Sequence, residues 1–132
     1  MSRVLIVDDD PMARSLIEDV LRHRGYETVH TDDGLSALDI LGHNVDFDVL
    51  LSDIRMPRLD GLHLLEAVTV SYPHIPVILS SVHSRSDLVE NAVQKGAACF
   101  LPRPFRPHQL VEAVQQVTQG RRITAAPPGF PG

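Results

Sequence analysis

Val4-Leu5-Ile6-Val7-Asp8-Asp9-Asp10-Pro11 is an unbroken apolar run stopped by three carboxylates and a proline. A short continuous run rich in β-branched residues predicts a strand covered on both faces. Working outward from it, Met12, Leu16, Ile17, Val20 and Leu21 recur at helical spacing. They predict a core-facing stripe on a helix whose other face carries Arg14, Ser15, Glu18, Asp19 and Arg22, with Gly25 as its stop.

The same alternation runs on to residue 119. Strands are predicted at 26–31, 48–52, 76–80 and 97–101, and helices at 34–41, 60–71, 87–94 and 107–119. Five strand-helix units in strict alternation predict an α/β fold, a doubly wound five-stranded parallel sheet with helices on both faces, because each crossover returns the chain to the same end of the sheet. Pro102 and Pro104 border the last strand and place it at an edge. Residues 1–120 read as one domain. Residues 121–132, with Pro127, Pro128 and Pro131 among glycines, read as a flexible tail or linker remnant.

Composition narrows the function classes. The 132 residues are 43% hydrophobic and 22% charged, which suits one globular domain rather than a disordered chain. A formal net charge of −5 opposes attraction to nucleic acid or anionic lipid. Arg121-Arg122 is only a short basic pair, and the tail has no room for a helix-turn-helix unit, so no nucleic-acid binding is expected. Cys99, the single cysteine, reads as a small buried apolar residue. The absence of a signal-like start or a long apolar run predicts a cytoplasmic chain without membrane contact.

In an open parallel sheet, ligands bind beyond the carboxyl ends of the strands. The residues expected there are Asp8, Asp9 and Asp10, Asp53, Ser80 and Ser81, and Arg103. Carboxylates gathered at one place repel one another unless something positive sits among them, and Mg2+ suits an oxygen-only site. A hydroxyl at Ser81 and a cation at Arg103 suit the remaining oxygens of a phosphoryl group on one carboxylate. An acidic run before proline equally suits a turn and a helix N-terminus. That structural role is the reading for Asp10, whereas for Asp8 and Asp9 the two remain open, and Asp53 favours the functional one.

These residues resemble the receiver domain of response regulators in two-component signalling, over Arg3 to about Gln119. The segments that carry the likeness are Val4-Leu5-Ile6-Val7-Asp8-Asp9, Leu51-Ser52-Asp53-Ile54-Arg55-Met56-Pro57 with Asp60-Gly61, Pro76-Val77-Ile78-Leu79-Ser80-Ser81, and Lys95-Gly96-Ala97 through Arg103-Pro104-Phe105. The resemblance implies a flavodoxin-like strand order 2-1-3-4-5. It implies that Asp53 takes a phosphoryl group from a sensor histidine kinase or phosphotransfer protein. It also implies that Asp8, Asp9, Asp53 and the Arg55 backbone carbonyl hold Mg2+, and that Ser81 and Phe100 are the switch residues. The partner of the switched state is then an output domain or protein, or a second copy through helix 4, strand 5 and helix 5. Such a domain is no enzyme in the ordinary sense, since it catalyses only its own modification and the reversal of it.

One departure stands out. The family has lysine before Pro-Phe and this chain has Arg103, a planar fork in place of a compact ammonium. The alternative is therefore a phosphorylation-independent, receiver-like interaction module with a weakened switch. A phosphatase is less consistent, because Arg55 stands where a second acid two residues after Asp53 is needed. Arg55 and His83 sit at positions that vary in the family and bear on phosphoryl lifetime. A cis Arg103-Pro104 bond is also implied, within reach of any X-Pro peptide.

Overall fold

The computed structural model describes residues 2–83 and 85–120, so the predicted tail at 121–132 lies outside the described residues. Five strands alternate with five helices: β1 (Arg3–Val7), α1 (Pro11–His23), β2 (Glu27–Thr31), α2 (Gly34–His43), β3 (Val49–Asp53), α3 (Gly61–Ser71), β4 (Val77–Ser81), α4 (Ser86–Gln94), β5 (Cys99–Pro102) and α5 (Pro107–Thr118). All strand pairings are parallel, in the order β2-β1-β3-β4-β5. The alternating pattern and the inferred order are both seen, with β5 at an edge.

β1, β3, β4 and β5 bury both faces because alternate residues serve two cores, whereas the edge strand β2 has no fully buried residue. Leu5, Val7, Leu50, Val77, Leu79 and Phe100 pack with Ala37, Leu41, Leu64, Leu65, Val68 and Ala92 of α2, α3 and α4. Val4, Ile6, Val49, Leu51, Ile78 and Leu101 pack with Ile17 and Leu21 of α1 and with Leu110, Ala113, Val114 and Val117 of α5. Cys99 lies in this second core, where burial pushes its thiol up to about 12, as a structural cysteine requires. No helix among the described residues is long and apolar enough to cross a membrane.

The start of α1 meets the expectation for Asp10, whose carboxylate accepts the Met12 N–H at 3.1 Å while Pro11 opens the helix. The face of α1 is a correction. Ile17 and Leu21 are buried, but Met12 and Leu16 are 73% and 61% exposed, and Glu18, assigned to the solvent face, is buried. The reason lies in what α1 meets. It packs beside the edge strand β2, whose outer residues Thr28 and His30 supply polar partners: the Thr28 hydroxyl donates to Glu18 Oε2 at 3.1 Å and His30 Nδ1 lies 2.9 Å from Oε1. Arg22 adds a third contact at 3.0 Å. Those partners, led by His30, hold the Glu18 carboxyl below its ordinary 4.5 although burial, the largest single influence, pushes it up.

Candidate functional site

Val7 and Ser52 are paired in register, so the carboxyl ends of β1 and β3 stand side by side. Asp8 directly follows the one and Asp53 ends the other. Asp8 is 1% exposed, Asp53 is half-buried and Asp9 is exposed. One carboxylate oxygen from each of Asp8, Asp9 and Asp53 lies within 4.8 Å of the other two, an arrangement able to hold a metal ion. The donor set is all oxygen, and it fits a hard cation such as Mg2+.

The electrostatics of Asp53 point the same way. Burial foremost pushes its carboxyl above the ordinary 3.8, the Arg103 guanidinium opposes that, and Asp8 and Asp9 push further upward. The Ile54 N–H lowers it through a 2.9 Å bond to Oδ1. A buried acid among two other acids is stabilised in its charged form by any cation that enters. Position is set by backbone packing: a Cβ on Gly61 would lie 2.4 Å from the Asp53 carbonyl oxygen, so only glycine lets α3 begin this close to β3.

Arg103 reaches into the same place from the end of β5. Its Nη2 donates to Asp8 Oδ2 at 2.7 Å and its Nε to the Ser80 hydroxyl at 3.0 Å, and its side chain is only 16% exposed. The Arg103-Pro104 peptide is cis, as the resemblance implies. Ser81 ends β4, and its hydroxyl accepts the His83 N–H at 3.0 Å. Phe100 is buried, one strand over from Leu79. Arg55 and His83, each two residues along the chain from Asp53 and Ser81 respectively, are exposed.

Sequence reasoning passed over two residues here, Arg14 and Arg58, and did not divide the roles of Ser80 and Ser81. Ser80 was grouped with Ser81, yet it is the one that receives Arg103, and its own hydroxyl donates to the Leu101 carbonyl at 2.7 Å. The parity of β4 carries that signal, since Ser80 pairs with Asp53 and faces the opposite way from Ser81. Arg14 donates to the Asp8 carbonyl at 3.1 Å, a contact between a helix and a strand end that no local pattern announces. Arg58 is the second, reaching Asp33 from the loop between β3 and α3.

Comparison with known proteins settles the family. The response regulator receiver domain family matches residues 4–115. The chain belongs to this family. The response regulator protein FleR of Pseudomonas aeruginosa is 34% identical over 120 residues, 91% of this chain and 25% of FleR. The DNA-binding transcriptional regulator NtrC of Escherichia coli is 39% identical over 113 residues, 86% of this chain and 24% of NtrC. The chain thus spans about a quarter of the length of these curated relatives. The signal receiver domain of NarL from Mycobacterium tuberculosis superposes with a TM-score of 0.86 at 34% identity, covering 91% of this chain and 98% of that one. Chemotaxis protein CheY4 of Vibrio cholerae gives 0.83 at 30% identity, covering 89% and 98%. This receiver domain is therefore a signalling domain of the two-component type.

Proposed function

We propose that this receiver accepts a phosphoryl group on Asp53 from the phosphohistidine of a sensor histidine kinase or phosphotransfer protein. The observation that carries the reading is the convergence of Asp8, Asp9 and Asp53 from two strands, with Arg103 beside them. Mg2+ would be held by Asp8, Asp9, Asp53 and the Arg55 carbonyl. When bound, it supplies charge neutralisation at the transferring oxygens. Asp53 Oδ1 is held by the Ile54 N–H, and its carboxylate forms the P–O bond while the donor's P–N bond breaks and returns its electron pair to nitrogen. Arg103 offers guanidinium protons and Ser81 a hydroxyl to the phosphoryl oxygens, and the Ser81 movement frees Phe100 to rearrange. The readout surface is then α4, β5 and α5, for an output domain, a protein or a second copy.

The exposed part of α1 suits the donor. Leu16, Ala13 and Val20 line an apolar groove of about 460 Å³ with Val82, Pro104, Phe105 and Leu110, and Arg103 lines it too. An apolar surface continuous with the site suits a partner that must bring its reactive group to Asp53. Arg55 and His83 are proposed to hinder the water that hydrolyses the acyl phosphate, so Arg55→Ala and His83→Ala are expected to change its lifetime.

Labelling by acetyl phosphate with Mg2+ tests the central reading. The expected result is labelled wild type and unlabelled Asp53→Ala, and label persisting on the variant overturns it. One observation favours the second reading, a module that works without phosphorylation: Arg103 already occupies Asp8. Mg2+-dependent uptake of beryllofluoride separates the two, since that module takes up none.

A further inference from the structure

The loop from β3 to α3 carries the Arg55 carbonyl, and it is tied down at both ends. At its base the Gly61 N–H donates to the Ile54 carbonyl at 2.7 Å, and the Ile54 N–H donates to the Ser80 carbonyl at 3.1 Å. At its tip Arg58 holds a left-handed backbone, φ 68, a conformation that costs a residue with a side chain free energy and persists where its surroundings impose it. The surroundings are a two-pronged ion pair. Arg58 Nε donates to Asp33 Oδ2 at 3.0 Å, and Nη2 donates to Asp33 Oδ1 at 2.8 Å and to the Ser36 hydroxyl at 3.0 Å.

Asp33 is a firm anchor. It is buried, and it caps α2 by accepting the Ser36 N–H at 2.8 Å. The loop also presses on that helix: a Cβ on Gly34 would lie 2.5 Å from the Leu59 carbonyl oxygen. Fork-shaped pairing of guanidinium with carboxylate gives geometric definition as well as attraction. Only residues 55–57 lie between the two moorings. A carbonyl ligates a metal well only when its direction is set beforehand, and outer groups that orient ligands govern affinity.

We propose that Asp33 and Arg58 are positioning residues, a clasp between α2 and the β3–α3 loop that aims the Arg55 carbonyl at the metal ion. The proposal rests on the metal reading above, and the experiment separates the two. Mg2+ alone is titrated calorimetrically into wild type, Arg58→Gly, Asp33→Asn and the double variant. Glycine accepts the left-handed backbone and asparagine still caps a helix, so both single variants remain folded. Each is expected to bind Mg2+ roughly tenfold more weakly, at the low end of what losing such a support costs a metal site. The double variant is expected to lose no more than either single one, the signature of two residues acting as one unit.

The direction of change excludes a mere field effect. Removing the Asp33 charge weakens cation binding through space, whereas removing the Arg58 charge strengthens it. Only a clasp makes both changes weaken it. Glu66→Gln, in the exposed Lys95–Glu66 pair, is the control and leaves the affinity unchanged. Wild-type affinity in Arg58→Gly, or tighter binding, overturns the clasp while leaving the metal site standing. No Mg2+ uptake by wild type overturns both.

Discussion

Two corners of this domain each join a near-buried aspartate to an arginine, and they are built for different tasks. At the β1 and β5 ends, Arg103 gives Asp8 one bond at 2.7 Å and spends its other contact on Ser80. At the β2 and β3 ends, Arg58 gives Asp33 two bonds, and the same carboxylate caps α2. The Asp33 pair closes on itself. The Asp8 pair faces two further carboxylates, so its arginine occupies charge that a cation can replace. The lesson is that ion-pair distance alone does not separate a strap from a gate; the number of bonds and the neighbouring charges do.

The comparison breaks most visibly if the shared foundation is removed. Leu51 is a residue of β3, buried in the core shared with α1 and α5, and Leu51→Ala is expected to cost about 2–5 kcal/mol. Both corners should loosen together, as read from urea unfolding; a loss confined to one would show that they do not share a base. Arg103→Ala sharpens the contrast. Freeing Asp8 of a competing cation should tighten Mg2+ binding by roughly tenfold, about 1.4 kcal/mol, while weakening retention of beryllofluoride. Calorimetry reads both, and unchanged Mg2+ affinity would show that Arg103 is no competitor.

The two aspartate environments also predict opposite pH behaviour. Asp53 has its value raised when folded, so metal-free protein loses stability as pH rises from the ordinary 3.8 through that raised value. Asp53→Asn should therefore melt higher than wild type above this window, with the two curves converging below it, and Mg2+ should narrow the gap. Asp33 is the reverse case. Arg58 holds its carboxyl down at about 2, so its contribution is complete above the ordinary 3.8 and is lost as pH falls toward about 2. Asp33→Asn should flatten the acid limb of the stability curve in that interval. The effect is the smallest of the four, since the Arg58 side chain is 55% exposed and solvent screens the pair.

The sheet was legible because each buried strand announces itself as a continuous apolar run, and Val4–Val7 or Val77–Leu79 needs no partner to be recognised. The acidic site was legible for a related reason: Asp8, Asp9 and Asp53 follow apolar runs directly, and parallel pairing brings such positions to one edge. Boundaries were less so, and Asp53 and Ser81 end their strands instead of following them. The α1 face was misread because helical spacing defines a stripe without saying how much of it a neighbour covers. Met12 and Leu16 run past the core, and Glu18 goes inward only because β2 brings Thr28 and His30 to it.

What the order of residues determined by itself is the alternation of elements, the parallel sheet and the edge where the carboxylates meet, because these follow from local periodicity and from chain connectivity. The tertiary structure alone decided that Arg103 spans Asp8 and Ser80 and that Arg58 reaches Asp33, 25 residues back along the chain. A long side chain chooses among partners by direction and distance in space, and neither quantity is written in the spacing of residues along the backbone.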